Sequence, residues 1–505
     1  MKLINVPLVA ALATVSAVSS LDEKRQATAC VSLTAPAVED ASITSLAAVE
    51  NSGICEVYVY LTHTGASDNV SVITFLPINN WNGRFQGTGG GGFSTGGSAT
   101  QLTTSAQSGW AVSTTDGGLP DDSNSTNFAF NPQLQKNFAY LSIHDMTVVG
   151  KALVEQFYGT PANNSYWNGC STGGQQGYME AQRYPADYSG IYAASPPLDY
   201  AHFQVSRLWP YVVQSVEGEF VPACVFDTLT SGAIQLCDID DQGSDGLISN
   251  PPTCQANATI WVGYPATSCN DNGATVITET HAMIWNKIAY GPVDTNGDWL
   301  YFGIAKGASY STLAGTTPQQ DASGFTRGWV MNDTNFNVSA INYTTFPEIF
   351  NLAFQEQNSL IGTDNHDLTP FYQAGGKLLS ILGIFEENGA NLQCCSGTAG
   401  QIQTCYANET ADYWTRVQET MGSTIDVHEF YRLFLAPGVG HCGGGYGAEP
   451  VDPFDVLISW VEDGTVPDIL AASGNGLTRN LCLYPKELQY TGAGNISSAE
   501  SWTCA

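Results

Sequence analysis

Residues 169–174 read Gly-Cys-Ser-Thr-Gly-Gly and match the pattern G-x-S-x-G. That pattern marks a sharp turn from a strand to a helix, which lifts a serine hydroxyl clear of an α/β sheet. Residues 165–169 (Ser-Tyr-Trp-Asn-Gly) read as the preceding strand, and residues 174–181 continue as a helix. By itself the match is weak, because in a chain with 52 glycines a plain turn is the more common explanation.

A cysteine precedes Ser171, and a matching pair lies far downstream. Residues 438–444 read Gly-Val-Gly-His-Cys-Gly-Gly, so His441 directly precedes Cys442. If Cys170 and Cys442 form a disulfide, the bond holds Ser171 and His441 beside each other. A serine hydroxyl is a weak nucleophile until a base takes its proton, so nucleophilic catalysis requires this proximity. The two pairs together predict a hydrolase with Ser171 as nucleophile and His441 as base.

These pairs, and two further segments, resemble a known family. Residues 86–93 read Gln-Gly-Thr-Gly-Gly-Gly-Gly-Phe, and residues 436–442 read Ala-Pro-Gly-Val-Gly-His-Cys. Both are similar to segments of the fungal tannase and feruloyl esterase family, and the similarity runs from about Ala29 to the C-terminus. The resemblance implies an α/β-hydrolase core with a large inserted lid, a calcium site, and hydrolysis of esters of phenolic acids.

The Gly-rich segment lies between strand patterns at 70–77 and 109–114. Glycine lets backbone N–H groups approach a ligand closely. In an α/β-hydrolase one oxyanion donor comes from the loop after an early strand and the other from the residue after the nucleophile. We therefore expect the N–H of Thr172 and, from the loop, that of Gly90 to stabilise the oxyanion. The segment lacks the lysine of a P-loop, which excludes a phosphate-binding interpretation.

The alternation of strand and helix patterns stops between about 199 and 374. This stretch is rich in aromatic residues, Asn, Gly and Thr, and it carries four glycosylation sequons, as an exposed insertion would. We predict an α/β fold with a catalytic domain at 21–198 and 375–505 and a lid at 199–374. The lid aromatics are candidates for stacking on a phenolic acyl group, although a core role is the more common one for each: Trp209, Trp285, Trp299, Tyr301 and Trp329.

Within this insertion, residues 237–248 carry carboxylates at short intervals. Composition alone favours an acidic turn, and the spacing is not that of an EF-hand. The resemblance to the family's calcium loop implies instead a structural Ca²⁺ site, because this ion takes about six to eight oxygen ligands. The implied ligands are the carboxylates of Asp238, Asp241 and Asp245 and the carbonyl oxygens of Gly243 and Leu247.

The acid that should orient His441 is where the chain departs from the family. Residues 375–380 resemble the strand that leads to Trp-His-Gly and the catalytic aspartate, but residues 381–388 read Ile-Leu-Gly-Ile-Phe-Glu-Glu-Asn. Glu386 stands where the aspartate is expected, and glutamate serves this role in other hydrolases of the fold. The alternatives are that Asp412 or Asp426 takes the role, that the glutamate is an exposed loop carboxylate, or that the stretch is retained intron or mistranslated sequence.

The chain has thirteen cysteines, which should mostly pair in an oxidising compartment, with at least one left over. Local spacing favours three pairs beside the long-range Cys170–Cys442, namely Cys30–Cys55, Cys237–Cys254 and Cys482–Cys504. The sequence does not decide the pairing of Cys224, Cys269, Cys394, Cys395 and Cys405, although Cys224–Cys269 is one candidate.

The N-terminus and the charge balance bear on compartment and partners. Residues 1–20 read as a secretory signal, with an apolar run too short to span a membrane. Acidic residues outnumber basic ones by 47 − 16 = 31, which disfavours nucleic acid and anionic membranes as partners. Nine N-x-S/T sequons fit a secreted glycoprotein: Asn69, Asn124, Asn163, Asn257, Asn332, Asn337, Asn342, Asn408 and Asn495.

Together these patterns predict a secreted carboxylic ester hydrolase that acts through a serine acyl-enzyme. The first expected substrate class is feruloyl esters, either small phenolic esters or feruloylated plant cell-wall polysaccharide. Gallate esters, the substrates of a tannase, are the alternative. A calcium-stabilised binding protein with a decayed site is a third candidate, and the departure at the acid position is its support.

Overall fold

The computed structural model describes residues 28–119, 128–271, 273–383 and 407–505. The strands of these residues are β1 (Ala41–Asn51), β2 (Ile54–His63), β3 (Val70–Pro77), β4 (Arg84–Thr88), β5 (Ala111–Thr115), β6 (Asn164–Cys170), β7 (Gly190–Ala194), β8 (Lys377–Gly383), β9 (Tyr431–Ala436), β10 (Glu449–Pro450), β11 (Ile469–Gly474), β12 (Leu477–Cys482), β13 (Leu488–Tyr490) and β14 (Trp502–Cys504).

The α-helices of the same residues are α1 (Ala99–Gln107), α2 (Pro132–Lys136), α3 (Ser142–Tyr158), α4 (Thr172–Arg183), α5 (Tyr200–Ser206), α6 (Trp209–Glu217), α7 (Ala223–Cys237), α8 (Glu279–Tyr290), α9 (Gln320–Phe325), α10 (Thr345–Ile361), α11 (Thr369–Gln373), α12 (Ala407–Met421) and α13 (Pro453–Asp463). Two π-helical turns, Asn137–Leu141 and Thr326–Val330, continue α2 and α9.

Nine strands form the central sheet of the described residues, in the order β1-β2-β3-β5-β4-β6-β7-β8-β9. The first strands pair antiparallel, whereas β5, β4, β6, β7, β8 and β9 run parallel to one another. The carboxyl ends of parallel strands meet at one edge of a sheet, where α/β folds bind ligands. Ser171 follows β6 and His441 follows β9, so both residues emerge at this edge.

The predicted strand and helix patterns of the core are confirmed, with shifts at their ends. The strands expected at 70–77, 109–114 and 165–169 are β3, β5 and β6, and the helix expected at 174–181 lies within α4. In β2 the buried Val57, Val59 and Leu61 alternate with less buried residues, as a β-strand with one core face requires. The sequence analysis missed β1, an edge strand of small and polar residues that are largely exposed.

The insertion separates β7 from β8. Its helices run from Tyr200 to Gln373, inside the predicted lid of 199–374, and no strand of the central sheet lies between β7 and β8 in the described residues. The lid has its own apolar core, which includes the fully buried Trp285 and Tyr310. Phe93 and Phe138 from the catalytic part pack into the same core, so lid and sheet share one apolar contact region.

Five disulfides are present in the described residues: Cys30–Cys55, Cys170–Cys442, Cys224–Cys269, Cys237–Cys254 and Cys482–Cys504. Four of them are the pairs named from the sequence, and the fifth is the candidate pair Cys224–Cys269. The remaining cysteines, Cys394, Cys395 and Cys405, lie outside the described residues, as do the predicted signal peptide and Asn124.

Candidate active site

Ser171 lies at the turn between β6 and α4. Its backbone has φ 61° and ψ −126°, a conformation that residues other than glycine adopt rarely and at an energetic cost. The turn is held on both sides, because the Ser171 N–H donates to the carbonyl of Ala194 (2.9 Å) and the Gln175 N–H donates to the carbonyl of Ser171 (3.0 Å). This turn carries the serine to the carboxyl edge of the sheet.

Close contact between α4, β6 and the Gly-rich segment explains the glycines of the motif. A Cβ atom on Gly169 would lie 2.2 Å from the carbonyl oxygen of Gly173. A Cβ atom on Gly89 would lie 2.4 Å from the Cα of Gly173. Neither contact is sterically tolerable, so the pattern read from the sequence reports a packing requirement of this turn.

His441 lies in the glycine-rich loop 437–445 that follows β9. The Cys170–Cys442 disulfide joins this loop to the end of β6, with the two Cα atoms 5.8 Å apart. Cys170 is the chain neighbour of Ser171, and Cys442 is the chain neighbour of His441. The bond therefore brings the candidate nucleophile and the candidate base to adjacent positions from opposite ends of the chain.

The surroundings of His441 favour the neutral imidazole. Its Nε2 atom is enclosed and has no hydrogen-bond partner among the described residues. Burial is the main cause that lowers the pKa of His441, to about 4, and the positive charge of Arg207 acts in the same direction. A neutral imidazole has the lone pair that a general base needs.

The predicted acid, Glu386, lies outside the described residues. The chain reaches that segment from Gly383, the last residue of β8, where a Cβ would lie 2.4 Å from the carbonyl oxygen of Gly440. The end of β8 therefore abuts the residue before His441. The chain therefore leaves β8 close to His441, which is the residue that the acid has to contact.

The two alternative acids, Asp412 and Asp426, have hydrogen-bond partners other than His441. Asp412 receives a hydrogen bond from Arg416 Nε at 3.0 Å on the exposed side of α12. Asp426 is exposed and accepts a hydrogen bond from the His428 N–H at the start of a 3₁₀ turn. Neither contributes to the pKa of His441, so the geometry does not support either as its partner.

The two predicted oxyanion donors differ in their surroundings. Thr172 is the first residue of α4, so its N–H has no acceptor within the helix and points out of the positive end of the helix dipole. The N–H of Gly90 donates instead to Oε1 of Gln176 (3.1 Å). The role of Gly90 as an oxyanion donor stays a prediction, and it would require the Gly90 N–H to exchange this acceptor for the substrate. Gly92, whose carbonyl accepts from Thr172 Oγ1 (2.6 Å), and Phe93 are the residues of the segment that line the cleft.

A narrow cleft with a free volume of about 10 Å³ lies beside Ser171 and is lined by residues of both the catalytic part and the lid. Its lining combines aromatic, small and polar residues: Gly92, Phe93, Ser171, Thr172, Pro197, Tyr200, Phe203, Gln204, Arg207 and Asp321. Most ligand sites have this character, with apolar walls and a few placed polar groups. The sequence analysis missed Gln204, Arg207 and Asp321, and no motif or spacing marks them.

The lid aromatics that were candidates for ring stacking lie elsewhere. Four are buried in the lid core and line no part of the cleft: Trp209, Trp285, Tyr301 and Trp329. Trp299 is exposed and packs edge-on against Phe302. The aromatic walls of the cleft are instead Phe93, Tyr200 and Phe203.

The acidic loop satisfies its carboxylates with its own backbone. Asp238 Oδ1 accepts from the N–H groups of Asp245 and Gly246, both at 3.0 Å. Asp241 accepts from the Gly243 N–H (2.9 Å) and from the Ser249 hydroxyl (2.5 Å). Within the described residues, no three His, Cys, Asp or Glu side chains converge on one point as a metal site would require.

The same loop is tied to the C-terminal segment and to the His441 loop. Asp245 forms a buried ion pair with Arg479 of β12, Nη2 to Oδ2 2.5 Å, and Arg479 lies over the Trp502 ring. A Cβ on Gly438 would lie 2.5 Å from Leu247 Cδ2. The loop therefore packs against the segment that carries the candidate base.

The described parts of the chain contain no helix that is both long and apolar enough to cross a membrane.

Comparisons with known proteins identify the family of this chain. Residues 55–505 match the family described as tannase and feruloyl esterase. A probable feruloyl esterase of Arthroderma benhamiae is 37% identical over 478 residues, which cover 90% of this chain and 86% of the relative. Feruloyl esterase B of Aspergillus niger is 30% identical over 496 residues, which cover 92% of this chain and 89% of the relative.

Two solved structures share the fold over almost the whole chain. Feruloyl esterase B from Aspergillus oryzae has a TM-score of 0.77 at 26% identity, with 93% of this chain and 98% of that chain covered. Tannin acyl hydrolase from Aspergillus niger has a TM-score of 0.76 at 24% identity, with 92% and 90% covered. The chain has an α/β-hydrolase fold and belongs to the tannase and feruloyl esterase family of carboxylic ester hydrolases.

Proposed function

We propose that the chain is a secreted serine esterase that releases phenolic acids from feruloyl esters. The observation that carries this proposal is the Cys170–Cys442 bond, because it joins a strained G-x-S-x-G turn to a histidine whose Nε2 atom is enclosed and whose pKa is lowered. A serine next to a neutral imidazole is the arrangement that acyl-enzyme chemistry needs.

In this mechanism Ser171 Oγ attacks the ester carbonyl carbon while His441 Nε2 takes the hydroxyl proton. The carbonyl oxygen becomes an oxyanion, which the Thr172 N–H and the positive end of α4 stabilise. Collapse of the tetrahedral intermediate expels the alcohol, which receives the proton from His441. Water then attacks the acyl carbon while His441 takes one of its protons. Collapse of the second tetrahedral intermediate expels Ser171 Oγ, which receives that proton, and releases the phenolic acid.

We assign the third triad position to Glu386. The support is its place in the chain, three residues after β8, whose last residue abuts the His441 loop. A carboxylate at that position would accept a hydrogen bond from Nδ1 of His441 and stabilise the imidazolium that forms during attack.

Feruloyl esters are the first substrate class because two relatives with at least 30% identity are named probable feruloyl esterase and feruloyl esterase B. Phe93, Tyr200, Phe203 and the amide of Gln204 line the cleft beside Ser171 and offer aromatic and polar contacts to a planar acyl group, which would have to widen the cleft from its free volume of about 10 Å³. Gallate esters are the second class, because a tannin acyl hydrolase shares the fold at lower identity.

Secretion is part of the proposal. The predicted signal at 1–20 supports it, as do five disulfides, which persist in oxidising compartments and are rare in the cytosol. Exposed sequon asparagines such as Asn257, Asn337 and Asn495 are open to glycosylation. Mass spectrometry of protein from the culture medium would show the mature N-terminus and any glycans.

A structural Ca²⁺ ion at the acidic loop is also proposed. The loop offers carboxylate and carbonyl oxygens, the donors that Ca²⁺ prefers, from Asp238, Asp241, Gly243, Asp245 and Leu247. The ion would offset the clustered negative charge that the buried guanidinium of Arg479 balances only at one carboxylate. Its contribution would be to stability, since a ligand that binds only the folded state raises the melting temperature.

Elemental analysis and thermal melting with and without chelator test the calcium proposal. Asp238→Asn should reduce bound calcium and remove the effect of chelator on the melting temperature. Asp240→Asn is the matched control, because that side chain is exposed and outside the ligand set. Absence of calcium from the purified wild type, with a melting temperature that chelator does not change, would leave the loop as an acidic turn.

Initial rates on methyl ferulate and methyl gallate test the main proposal. Ser171→Ala should lower turnover at least about 10³-fold on both esters, because loss of one triad member removes nucleophilic catalysis. A higher kcat/KM on methyl gallate would make the enzyme a tannase. A folded wild-type protein that binds the esters without a burst of product would support the decayed binding protein instead.

A further inference from the structure

A buried glutamine of α4 is hydrogen-bonded to the Gly-rich segment at two points. Gln176 is 1% exposed and follows Ser171 by little more than one helical turn. Its Oε1 accepts from the Gly90 N–H at 3.1 Å, and its Nε2 donates to the Thr95 carbonyl oxygen at 3.1 Å. A backbone N–H only donates and a carbonyl oxygen only accepts, so these partners fix the orientation of the amide. One side chain therefore bridges both ends of loop 90–95.

Loop 90–95 has few hydrogen bonds of its own. Residues 89–92 are consecutive glycines, and glycine loses more conformational freedom on folding than any other residue. Within the loop, the Ser94 N–H donates to the Gly91 carbonyl at 3.0 Å. At its base, Gly89 and Gly96 form an isolated antiparallel bridge. The conformation of the loop therefore depends on contacts from neighbouring elements.

The first turns of α4 supply these contacts. The Gly173 N–H donates to the Gly90 carbonyl at 2.8 Å, and Thr172 Oγ1 donates to the Gly92 carbonyl at 2.6 Å. The amide of Gln176 adds the two bonds that reach both ends of the loop. Since α4 begins directly after Ser171, these bonds connect the loop to the turn of the nucleophile.

The loop contributes to the cleft at its tip. Gly92 and Phe93 lie there and line the cleft beside Ser171. In an α/β-hydrolase a loop after an early strand supplies one oxyanion N–H, and the residue after the nucleophile supplies the other. Both donors have to reach the same oxygen, so the distance between the loop and Thr172 decides whether they can act together.

We propose that Gln176 is a positioning residue, whose amide holds loop 90–95 at the distance from Ser171 that acyl transfer requires. The proposal rests on the roles proposed for Ser171 and Thr172. Gln176 acts through the loop, because its two hydrogen bonds go to the loop backbone. Without the amide, the buried Thr95 carbonyl loses the partner that compensates its removal from water, and the loop is free to shift.

Gln176→Ala removes both hydrogen bonds and keeps the helix, because alanine is a strong helix former. A displacement of about 1 Å can cost about 10²-fold in rate, so kcat on methyl ferulate should fall by about 10-fold to 100-fold. An oxyanion contact forms only in the transition state, so KM should change less than kcat.

Gln176→Glu provides a readout that a loss of packing would not change. A protonated carboxyl has an acceptor oxygen and an O–H donor, so it can make both hydrogen bonds of the amide, whereas a carboxylate has no donor for the Thr95 carbonyl. The kcat of this variant, divided by that of the wild type, should be near one in acid. It should fall at least about tenfold as the introduced carboxyl ionises. Burial raises the pKa of this carboxyl, so the fall should lie above about pH 4.3.

The sequence around this position leaves few other groups to titrate. Residues 86–97 include no acidic or basic side chain, and neither do strands β6 and β7, on which α4 packs. Glu180 lies one turn further along α4, where burial holds its pKa well above 4.5. Asp116, after β5, accepts hydrogen bonds from the N–H groups of Ser71 (2.8 Å) and Gly118 (2.7 Å). These groups and His441 are common to variant and wild type, so the ratio of the two kcat values isolates the introduced carboxyl.

The matched control is Gln182, another glutamine of α4. Its Nε2 donates to the Thr363 carbonyl (3.2 Å) and to the Tyr413 hydroxyl (2.9 Å), at the end of the helix that is remote from Ser171. Gln182→Ala therefore removes two hydrogen bonds from the same helix and should keep the wild-type kcat. Circular dichroism and thermal melting establish that each variant is folded before its rates are measured.

Three results would overturn the proposal. The first is a wild-type or higher kcat in folded Gln176→Ala, and a higher value would mean that the amide competes with the oxyanion for the Gly90 N–H. The second is a kcat ratio for Gln176→Glu that does not change with pH. The third is an equal loss of kcat in Gln182→Ala. Full activity in Ser171→Ala would instead overturn the proposed function itself, so the two failures are distinguishable.

Discussion

Removal of the Cys170–Cys442 disulfide should separate its effect on stability from its effect on catalysis. The bond closes a loop of 272 residues, which the Cys224–Cys269 bond inside it shortens by about 45. In the loop-closure model a loop of this length contributes about 5 kcal/mol to the free energy of unfolding, because the bond restricts the unfolded chain. The double variant Cys170→Ala, Cys442→Ala should lose stability of that order.

The effect on turnover has a different cause. Loop 437–445 is rich in glycines with positive φ, and Cys442 itself has φ 66°, so the free loop has many accessible conformations. A displacement of the base by about 1 Å can cost about 10²-fold in rate. We therefore expect kcat to fall at least about 100-fold at a temperature where the double variant is fully folded.

The control is the lid disulfide, which closes 45 residues. Cys224→Ala with Cys269→Ala should lose about 4 kcal/mol by the same model and should keep the wild-type kcat. The assay is the initial rate of methyl ferulate hydrolysis at 15 °C to 25 °C, about the range where both variants should remain folded, combined with urea unfolding. Near-normal turnover in the folded Cys170–Cys442 double variant would refute the idea that this bond positions His441.

Three further predictions follow from named side chains. Glu386→Gln should lower kcat by about 10³-fold or more if that carboxylate orients the base, whereas Asp412→Asn should leave kcat unchanged; sequencing the mature transcript would show whether the codon for Glu386 is present. Burial raises the pKa of Glu409 well above its ordinary value of 4.5. The folded chain therefore keeps a proton that the unfolded chain releases, and the free energy of unfolding should fall as the pH rises above about 4.5. Glu409→Gln should remove this part of the pH dependence in thermal melts and raise stability at neutral pH; an unchanged melting profile would contradict it. Leu247→Ala should cost about 2 to 4 kcal/mol in urea unfolding and also lower kcat, because that side chain contacts the loop of the base; an unchanged kcat would mean that the contact is only structural.

A second buried group, His63, also makes the stability of the fold decrease as the pH rises. His63 lies between Asp68 (2.5 Å) and Asp145 (2.8 Å), and these carboxylates raise its pKa against the opposing effect of burial. Its stabilising contribution is complete below its unfolded pKa of about 6.5 and is lost as the pH rises through the higher folded value. Both groups therefore make the fold more stable in acid, which matches a strongly acidic protein.

The sequence alone determined the parts of the site that have local signatures. The turn at Ser171 is visible because steric contact with neighbouring backbone permits only glycine at positions such as Gly169. Strands β3, β5 and β6 are visible because a buried strand needs β-branched and aromatic residues over a few consecutive positions. The Cys170–Cys442 bond could be inferred because Cys170 adjoins the candidate nucleophile and Cys442 adjoins the candidate base.

Only the tertiary structure decided which side chains meet over the serine. Arg207 and Asp321 lie on separate lid helices, and nothing in their local sequence indicates that they share a cleft. The lid tryptophans could not be separated from cleft residues, since apolar residues on a core face and on a cleft face follow the same helical period. The Gly90 N–H was expected at the oxyanion, but a side chain 86 positions away takes its hydrogen bond. Local patterns record which face of an element is apolar, whereas the contacts between elements depend on packing across long stretches of chain, and a single sequence does not display that packing.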